Sequence, residues 1–587
     1  MKITQEASRI VDQFETGEVE IREGLTHNAQ KVLTMCDFYS NSKYLDGNLD
    51  GLGREKPFMN VVNYRVTLAK VATDMDIKDI QIASDNPQHW VKSMLLQKES
   101  YEWMKKTEFG TKLNEQGFTR PKYGMVVVKK REEEGELYVD TVSFKNFKFD
   151  QKNFNRGKVE EHFFSPEELL EKEGAWYNVR EIIRDAQDKK EAGSTDTDIQ
   201  INEVHGKYPL SYLKEYKGEE VMEEDEWVIR NQVFYLYEGN PELYVFADEE
   251  DEDPYKHLVW EAQDGRTLGR GVIEESEEAQ VWTNDLVINE KNALDLASRV
   301  VIKTNSSSIA NNVLEVDNGK VFELDDGEDM NAVNLTPGSL GQIQNVIQRW
   351  ESSANLTTSA HNATTGEETP GNTTYSETAL LNQVASRPFD YRREEHGFLI
   401  KEIFTDWVIP HLIKKLKKEH VLVTDFSRKE LEMIDKDFAI KSGKDHAKEQ
   451  LLKGQLPTQE GIDQAQEDAY THLGQTGDTR FLKIPKGYFD DIEAKVSVIT
   501  TGEQRNKAAI LGSLSTILQT VQNSFNPQTG GFAILENETT ADIFGTLVEV
   551  AGAGISPVSL MGGKGGGAPA PQAPVDAGAL AGAEQIA

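Results

Sequence analysis

The stretch from Gly265 to Val301 constrains the fold of this chain more than any other, because it encodes one long helix behind a glycine-rich entry. Three glycines open it, and about thirty residues without proline or glycine follow. Mostly apolar residues then recur at alternating spacings of three and four; they are Ala279, Trp282, Leu286, Asn289, Ala293, Leu296 and Val300. This heptad spacing predicts a helix of about 45 Å with a narrow packing seam. Such a seam favours contacts with copies or neighbouring helices, and a long helix inside a large monomer is the alternative.

The charge balance limits the classes of function. The 587 residues include 64 basic and 100 acidic side chains, for a formal net charge of −36. Affinity for nucleic acid comes mostly from basic contacts to phosphate, so this balance argues against sequence-specific reading of DNA. The same charge balance is consistent with a protein along which DNA moves without binding tightly.

The compartment is indicated by the single cysteine, Cys36, which excludes an internal disulfide and a cysteine-rich zinc site. We therefore expect a reducing environment. The first residues, MKITQEASRI, lack an apolar signal segment, and no apolar run approaches the length of a membrane span. Neither export by a signal peptide nor a membrane location is expected.

The rest of the chain alternates between helical and strand-like patterns, which predicts a mixed α+β fold. Residues 1–110 are mostly helical in pattern, and three strands are expected at Met125–Val128, Leu137–Val142 and Phe144–Phe149. Residues 199–262 return to strand character between acidic runs. Their acidic side chains are interpreted as a solvated face, with docking on a basic partner as the alternative.

A capping box at Ser165 and Glu168 opens a helix that is expected to continue to about Gln187.

The segment Leu356–Thr374 has no apolar periodicity and contains no lysine or arginine. A loop of that length inside a compact domain is usually functional or disordered. A second long helix should follow it, with a kink at Pro388.

Motifs of catalysis and cofactor binding are absent from the sequence. It contains no phosphate-binding loop, no H-E-x-x-H and no G-x-S-x-G. The glycines of GRTLGRG do not have the dinucleotide-binding spacing and are interpreted as flexible residues at a helix entry. We therefore predict no catalytic residue, no cofactor and no metal, although a hydrolase with an unrecognised site stays an alternative.

The loop at Asp46, Asn48, Asp50 and Gly51 matches the front of a calcium-binding loop. Its twelfth position, which should supply a bidentate glutamate, is Pro57. Turn chemistry explains the same residues, and it is the preferred interpretation.

The order of these elements resembles the portal (head-to-tail connector) proteins of tailed bacteriophages. The residues that carry the likeness are GREKPFMNVVNYRV, the strand pair ending in FKNFKFD, SPEELLEK, and PYKHLVWEAQDGRTLGRGVIEESEEAQVWTNDLVINEKNALDLASR. The likeness covers roughly residues 30–525, mainly as an order of elements.

The resemblance implies a portal-like division of the chain. The wing would comprise 1–162 and 304–420, and the tunnel loop would lie within it at 356–374. The two stem helices would lie at 163–198 and 263–303. The β-rich clip, 199–262, would lie between them. A C-terminal and crown region, 421–560, and a flexible tail, 561–587, would complete it. The tunnel loop candidates that would face DNA are Thr364, Thr365, Gly366, Glu367, Glu368, Asn372 and Thr373. The Gly-, Ala- and Pro-rich tail departs from family members with a long C-terminal helical barrel.

The resemblance also implies partners and a location. The chain would form a ring with copies of itself, usually of about twelve subunits in that family. Its further partners would be the major capsid or scaffolding protein, the terminase packaging motor, the tail adaptor, and double-stranded DNA bound without sequence specificity. It would be assembled in the host cytoplasm and located in the virion, at the portal vertex. Another virion structural protein or an acidic intracellular hydrolase are the alternatives.

Overall fold

The computed structural model of the chain has a mixed α+β fold, which confirms the fold class at that level. It describes residues 2–51, 53–83, 89–189, 198–298, 301–305, 329–333, 340–360, 375–418, 428–474, 484–485, 488–489, 495–498, 525–526 and 531–532. The chain divides into two compact units, Met1–Thr500 and Thr501–Ala587.

The helices of the described residues lie in the first unit. In chain order they are α1 (Lys2–Glu15), α2 (Ala29–Ser40), α3 (Val62–Ala72), α4 (Trp90–Lys106), α5 (Phe109–Tyr123), α6 (Pro166–Glu171), α7 (Val179–Lys189), α8 (Leu210–Lys217), α9 (Val272–Glu275), α10 (Glu277–Ala297), α11 (Leu340–Thr357), α12 (Tyr375–Ile403), α13 (Ile409–Lys418), α14 (Arg428–Leu452) and α15 (Gln459–Gly474). A π-helical turn, Phe404–Val408, joins α12 to α13. Among the described residues, no helix combines the length and the apolar character that a membrane span needs.

The strands follow the same chain order. They are β1 (Val19–Arg22), β2 (Leu25–His27), β3 (Ile80–Ala83), β4 (Met125–Glu133), β5 (Glu136–Thr141), β6 (Phe147–Phe149), β7 (Lys158–Phe164), β8 (Ile199–Pro209), β9 (Ile229–Tyr237), β10 (Tyr244–Glu250), β11 (Tyr255–Val259), β12 (Val301–Thr304), β13 (Met330–Val333), β14 (Lys495–Val498), β15 (Phe525–Asn526) and β16 (Gly531–Phe532). The last two form an antiparallel pair in the second unit.

Two antiparallel sheets organise the first unit. One has the order β10-β9-β8-β7-β6, and the other has the order β11-β4-β5. The strands expected in 199–262 are therefore present, but they are divided between the two sheets, since β11 leaves the others to pair with β4. Shorter pairs are β1–β2, β12–β13 and β14–β3.

Strand β4 separates two hydrophobic cores. Val126 and Val128 point into a core formed with α4, α5, β5 and α12 to α14, whereas Met125 and Val127 point into a second core with α1 and α2. Successive side chains of a strand face opposite sides, so an unbroken apolar run is expected where both faces are covered. The run MVVV is thus explained by its position between two layers.

The helix expected from Ser165 to about Gln187 is wrong as a single element, and with it the first stem helix at 163–198. The capping box forms, with the Glu168 N–H donating to Ser165 Oγ at 3.3 Å. The helix then ends at Glu171, because Gly174 (φ +106°) and Asn178 (φ +53°) both adopt left-handed backbone conformations that interrupt it. Two short helices, α6 and α7, result, and both pack on the five-stranded sheet.

The glycine-led helix is also shorter than expected. It begins with the short α9, breaks at Ser276 and continues as α10, whose 21 residues span about 32 Å. Residues Val301–Thr304, expected as its end, form strand β12. At the break, Ser276 Oγ donates to Val272 O at 2.7 Å. The hydroxyl therefore competes with backbone N–H groups for this helical carbonyl.

The glycines before α9 form a tight backbone crossing, so their interpretation as flexible residues is wrong. Gly124 ends α5 with φ +84° and accepts a hydrogen bond from Trp260 N at 2.8 Å. A Cβ atom on Gly124 would lie 2.3 Å from Gly269 O and 2.7 Å from Gly271 N. Three glycines are needed because two backbone segments touch here.

Substitution of Gly124 tests this crossing. We expect Gly124→Ala to lower the free energy of unfolding by about 3 kcal/mol, because it combines a left-handed backbone with contact against backbone atoms. Gly117→Ala, in the same helix but with no atom within 4 Å of the added Cβ, should change it by less than about 1 kcal/mol. Urea denaturation of both variants measures the difference, and equal midpoints would contradict the assignment.

Candidate functional site

The long helix α10 is held by an extended segment, residues 54–61, that we call the strap. Gln280 is fully buried; its Oε1 accepts from Val61 N at 2.8 Å and its Nε2 donates to Met59 O at 2.7 Å. One turn later, Asn284 Oδ1 accepts from Met59 N at 3.0 Å. The two amides thus satisfy backbone groups that have no strand partner in this contact.

The strap runs antiparallel to α10 as far as the last turn of the helix. Lys291 Nζ donates to Glu55 O at 2.9 Å. The Arg54 guanidinium donates to Asn292 Oδ1 at 3.0 Å and to Asp295 Oδ2 at 3.2 Å. Two of the stretches that carry the likeness to portal proteins, GREKPFMNVV and the glycine-led helix, are therefore in direct contact.

The entry to α10 is fixed by charged groups. Arg266, almost fully buried, forms a bidentate ion pair with Glu274 at 2.7 and 2.9 Å. His27 Nδ1 lies 2.9 Å from a terminal guanidinium nitrogen of Arg266. Burial and the Arg266 charge lower the pKa of His27 to about 4. Burial and the neighbouring Glu261 raise the pKa of Glu275 to about 8. Planar Arg–carboxylate pairing gives the glycine-rich entry a defined direction.

Helix α11 lies antiparallel along another side of α10. Ala279 packs on Ala354 together with Val61 of the strap. The rings of Trp282 and Trp350 stack with centroids 6.1 Å apart and planes at 4°. Gln344 donates to Glu290 at 3.2 Å further along. Part of the predicted seam therefore contacts a helix of the same chain.

The predicted seam is not the buried face of α10. Of its members, Ala279 is buried, Leu286 and Ala293 are half-buried, and Trp282 and Asn289 are exposed. The side chain of Leu296, and Val300 altogether, lie outside the described residues. Among the described side chains of α10, those that the fold buries are Ala279, Gln280, Thr283 and Asn284, and the last three are polar. The heptad rule was misleading because it assigns the buried face to apolar residues.

The residues that the seam missed have a sequence signal. Gln280 and Asn284 are amides at i and i+4 on one helix face, and they face a segment rich in backbone groups that need partners. Arg54 gives no comparable signal, because it lies in a loop without a periodic pattern that would point to its partners at 292 and 295. The seven tunnel loop candidates, Thr364 to Thr373, lie outside the described residues.

A second cluster of functional groups, which we call the buried ionic cluster, joins the two sheets. Its centre is Lys129 on β4, whose Nζ lies 2.6 Å from both Glu160 Oε2 and Glu203 Oε2. His162 Nε2 lies 2.6 Å from the same oxygen of Glu203. Glu203 Oε1 contacts His205 Nε2, also at 2.6 Å. Ion pairs of this kind are strong only when every partner is satisfied, and here each charge has one.

This cluster contains a donor set that a divalent metal could use. Ligand atoms of Glu160, His162 and Glu203 lie within 4.8 Å of one another, and mixed imidazole and carboxylate ligands suit first-row metals. The Lys129 ammonium, however, already bridges the two carboxylates where a cation would bind. We therefore interpret the cluster as an ion-paired joint between sheets.

The calcium-like loop has its carboxylates paired as well. Lys56 Nζ binds Asp46 at 3.0 Å, and Arg54 Nε binds Asp50 at 2.8 Å. Asn48 Oδ1 accepts from Tyr44 N at 3.0 Å, closing a local turn. These contacts support turn chemistry, with the loop shaped to place Arg54 against α10.

The strap is tested by replacing Gln280. We expect Gln280→Leu to lower the free energy of unfolding by about 2–4 kcal/mol, because it leaves the Val61 N–H and the Met59 carbonyl buried without partners. Asn289→Leu on the exposed side of the same helix should stay within about 0.5 kcal/mol of the wild type. Urea denaturation measures both, and a tolerated Gln280→Leu would show that the amide does not hold the strap.

The buried ionic cluster predicts a pH dependence of stability. Burial alone would lower the pKa of His205, but hydrogen bonds to Glu203 and Glu250 raise it to about 9. A raised folded-state pKa contributes stability that is complete below about pH 6.5 and lost as pH rises through about 9, on the order of 3 kcal/mol. His205→Gln should remove this decline. Urea denaturation from about pH 6 to about pH 10 measures it, and parallel curves for the two proteins would contradict the assignment.

A scan against protein-family models finds no match, and a search of curated proteins finds no similar sequence.

Proposed function

We propose that the chain is the subunit of a portal-type ring at one capsid vertex, through which DNA is packaged and ejected. The proposal rests on the resemblance in element order and on one observation at α10. This helix buries the polar side chains of Gln280, Thr283 and Asn284 in its own fold and leaves several apolar side chains exposed. Trp282 is 52% exposed, and Val281 and Leu294 are exposed as well. Exposed apolar groups beside a buried polar face are typical of a helix that meets another chain.

The strap and the glycine crossing support this role physically. They fix α10 to the body of the subunit with directional contacts, so the outward side chains are presented at a defined angle. A helix that packs between identical neighbours must hold the same angle in every copy, since a ring closes only for one rotation. Rigid attachment of the helix meets that requirement.

The acidity of the chain agrees with a DNA channel. A net charge of −36 offers few strong phosphate sites, so DNA would slide without deep electrostatic traps. The proposed role is structural, without catalytic turnover. The ring would bind the packaging motor, a tail adaptor and capsid or scaffolding protein, and it would be located in the virion.

The oligomeric state tests the proposal. Negative-stain microscopy and native mass spectrometry of the purified chain should show rings with a central hole. Trp282→Glu should shift most of the protein to smaller species, because a charge would be buried in the contact between subunits, at a cost of at least several kcal/mol. Leu294→Glu leaves the Trp282–Trp350 stack intact, and it should also shift the protein from rings to smaller species.

The control is the same exchange at an exposed tryptophan elsewhere, Trp227→Glu, which should leave the ring mass unchanged. Circular dichroism and thermal melting establish that each variant is folded. A wild-type chain that stays monomeric at high concentration would overturn the proposal, and compact particles with turnover of a hydrolase substrate would favour an enzyme.

A further inference from the structure

The loop between α8 and β9 carries a set of apolar side chains that point into solvent, which we call the 221–229 patch. Trp227 is 84% exposed. Its exposed apolar neighbours are Val221, Met222, Val228 and Ile229. Exposed apolar side chains that lie this close together in the sequence are candidates for an interaction site.

The 221–229 patch is held in shape by its own chain. Lys214 Nζ binds both carboxylate oxygens of Asp225, at 2.7 and 2.8 Å. The same carboxylate accepts from Met222 N at 2.8 Å, and Lys2 pairs with Glu226 at 2.8 Å. The exposure of Trp227 is therefore a property of an ordered loop. A surface that is ordered before binding loses little conformational entropy when a partner arrives.

Most charges around the 221–229 patch are negative. Of the cations beside it, Lys2 and Lys214 are paired with Glu226 and Asp225, and Arg230 is exposed. Glu219, Glu220, Glu223 and Glu224 are exposed, and within the described parts of the chain none of these four carboxylates has an ion-pair partner. A nucleic acid or an anionic membrane would be repelled. A second copy that met this patch with its own patch would bring the same four glutamates to the contact. Complementary potential is what selects a partner for such a rim.

We propose that the 221–229 patch is a docking surface for a protein whose binding site is an apolar pocket rimmed by lysine or arginine. Trp227 enters the pocket, as tryptophan commonly does at the centre of protein interfaces. The four glutamates pair with the basic rim and set the approach and orientation of the partner. The proposal does not depend on ring formation, since a monomer with this loop would bind the same partner.

A peptide-display selection on the full chain tests the proposal. Random peptides of about twelve residues are selected on the immobilised wild-type protein, and the enriched ones are synthesised with a fluorescent label. Peptides that combine an apolar anchor with two or more basic residues are expected. Fluorescence anisotropy should show saturable binding that Trp227→Ser weakens at least about tenfold. The quadruple Glu→Gln variant at 219, 220, 223 and 224 should weaken it too, as should raising the salt from about 50 to about 500 mM.

The matched control is Leu452→Ser, which removes an equally exposed apolar side chain, 89% exposed, from the end of α14. It should leave peptide binding unchanged, and Trp227→Ser should leave the ring mass unchanged, which separates this proposal from the proposed function. Selected peptides without basic residues, or equal binding to wild type and Trp227→Ser, would overturn the proposal. Self-association of the wild type that Trp227→Ser abolishes would overturn it as well, because the occupant would then be a second copy.

Discussion

Two side-chain amides, those of Gln280 and Asn284, hold the strap on α10, and the character of the whole helix depends on them. An extended segment beside a helix cannot use the helix backbone as a hydrogen-bond partner, because that backbone is already paired internally. The side-chain amides at i and i+4 provide the missing partners, because each can accept from a strap N–H or donate to a strap carbonyl. Once polar side chains occupy the inner face, the apolar residues Val281 and Trp282 remain on the outside.

The glycine crossing and the strap act on the same helix from its two ends. Gly124 meets Gly269 and Gly271 just before α9, so the entry of the helix is fixed by backbone contact. Arg54 reaches Asn292 and Asp295 near its last turn. Fixation at both ends limits the angle of the helix to the body of the subunit. Such fixation would serve the proposed role, in which the helix meets a neighbouring chain at a set angle.

The sequence predicted the elements of the chain better than their boundaries and faces. The mixed α+β class, the strands around Met125–Val128 and the capping box at Ser165 followed from local patterns and are present. The continuous helix after Ser165 was wrong, because Gly174 and Asn178 adopt left-handed conformations, which both residue types allow but which their presence alone does not predict. The strap could not be predicted, because it depends on contacts between residues more than two hundred positions apart.

The buried cations of the fold are matched by buried or half-buried carboxylates, so the excess of acidic side chains in the sequence remains on the surface. Lys129 lies between two carboxylates, Lys158 is fully buried against Asp253, and Arg120 is buried on Glu395. Carboxylates such as Glu223 are left on the outside without a cation among the described residues. A surface with an excess of carboxylates repels phosphate and attracts basic protein surfaces. Passage of DNA and docking of a basic partner would then follow from one distribution of charge.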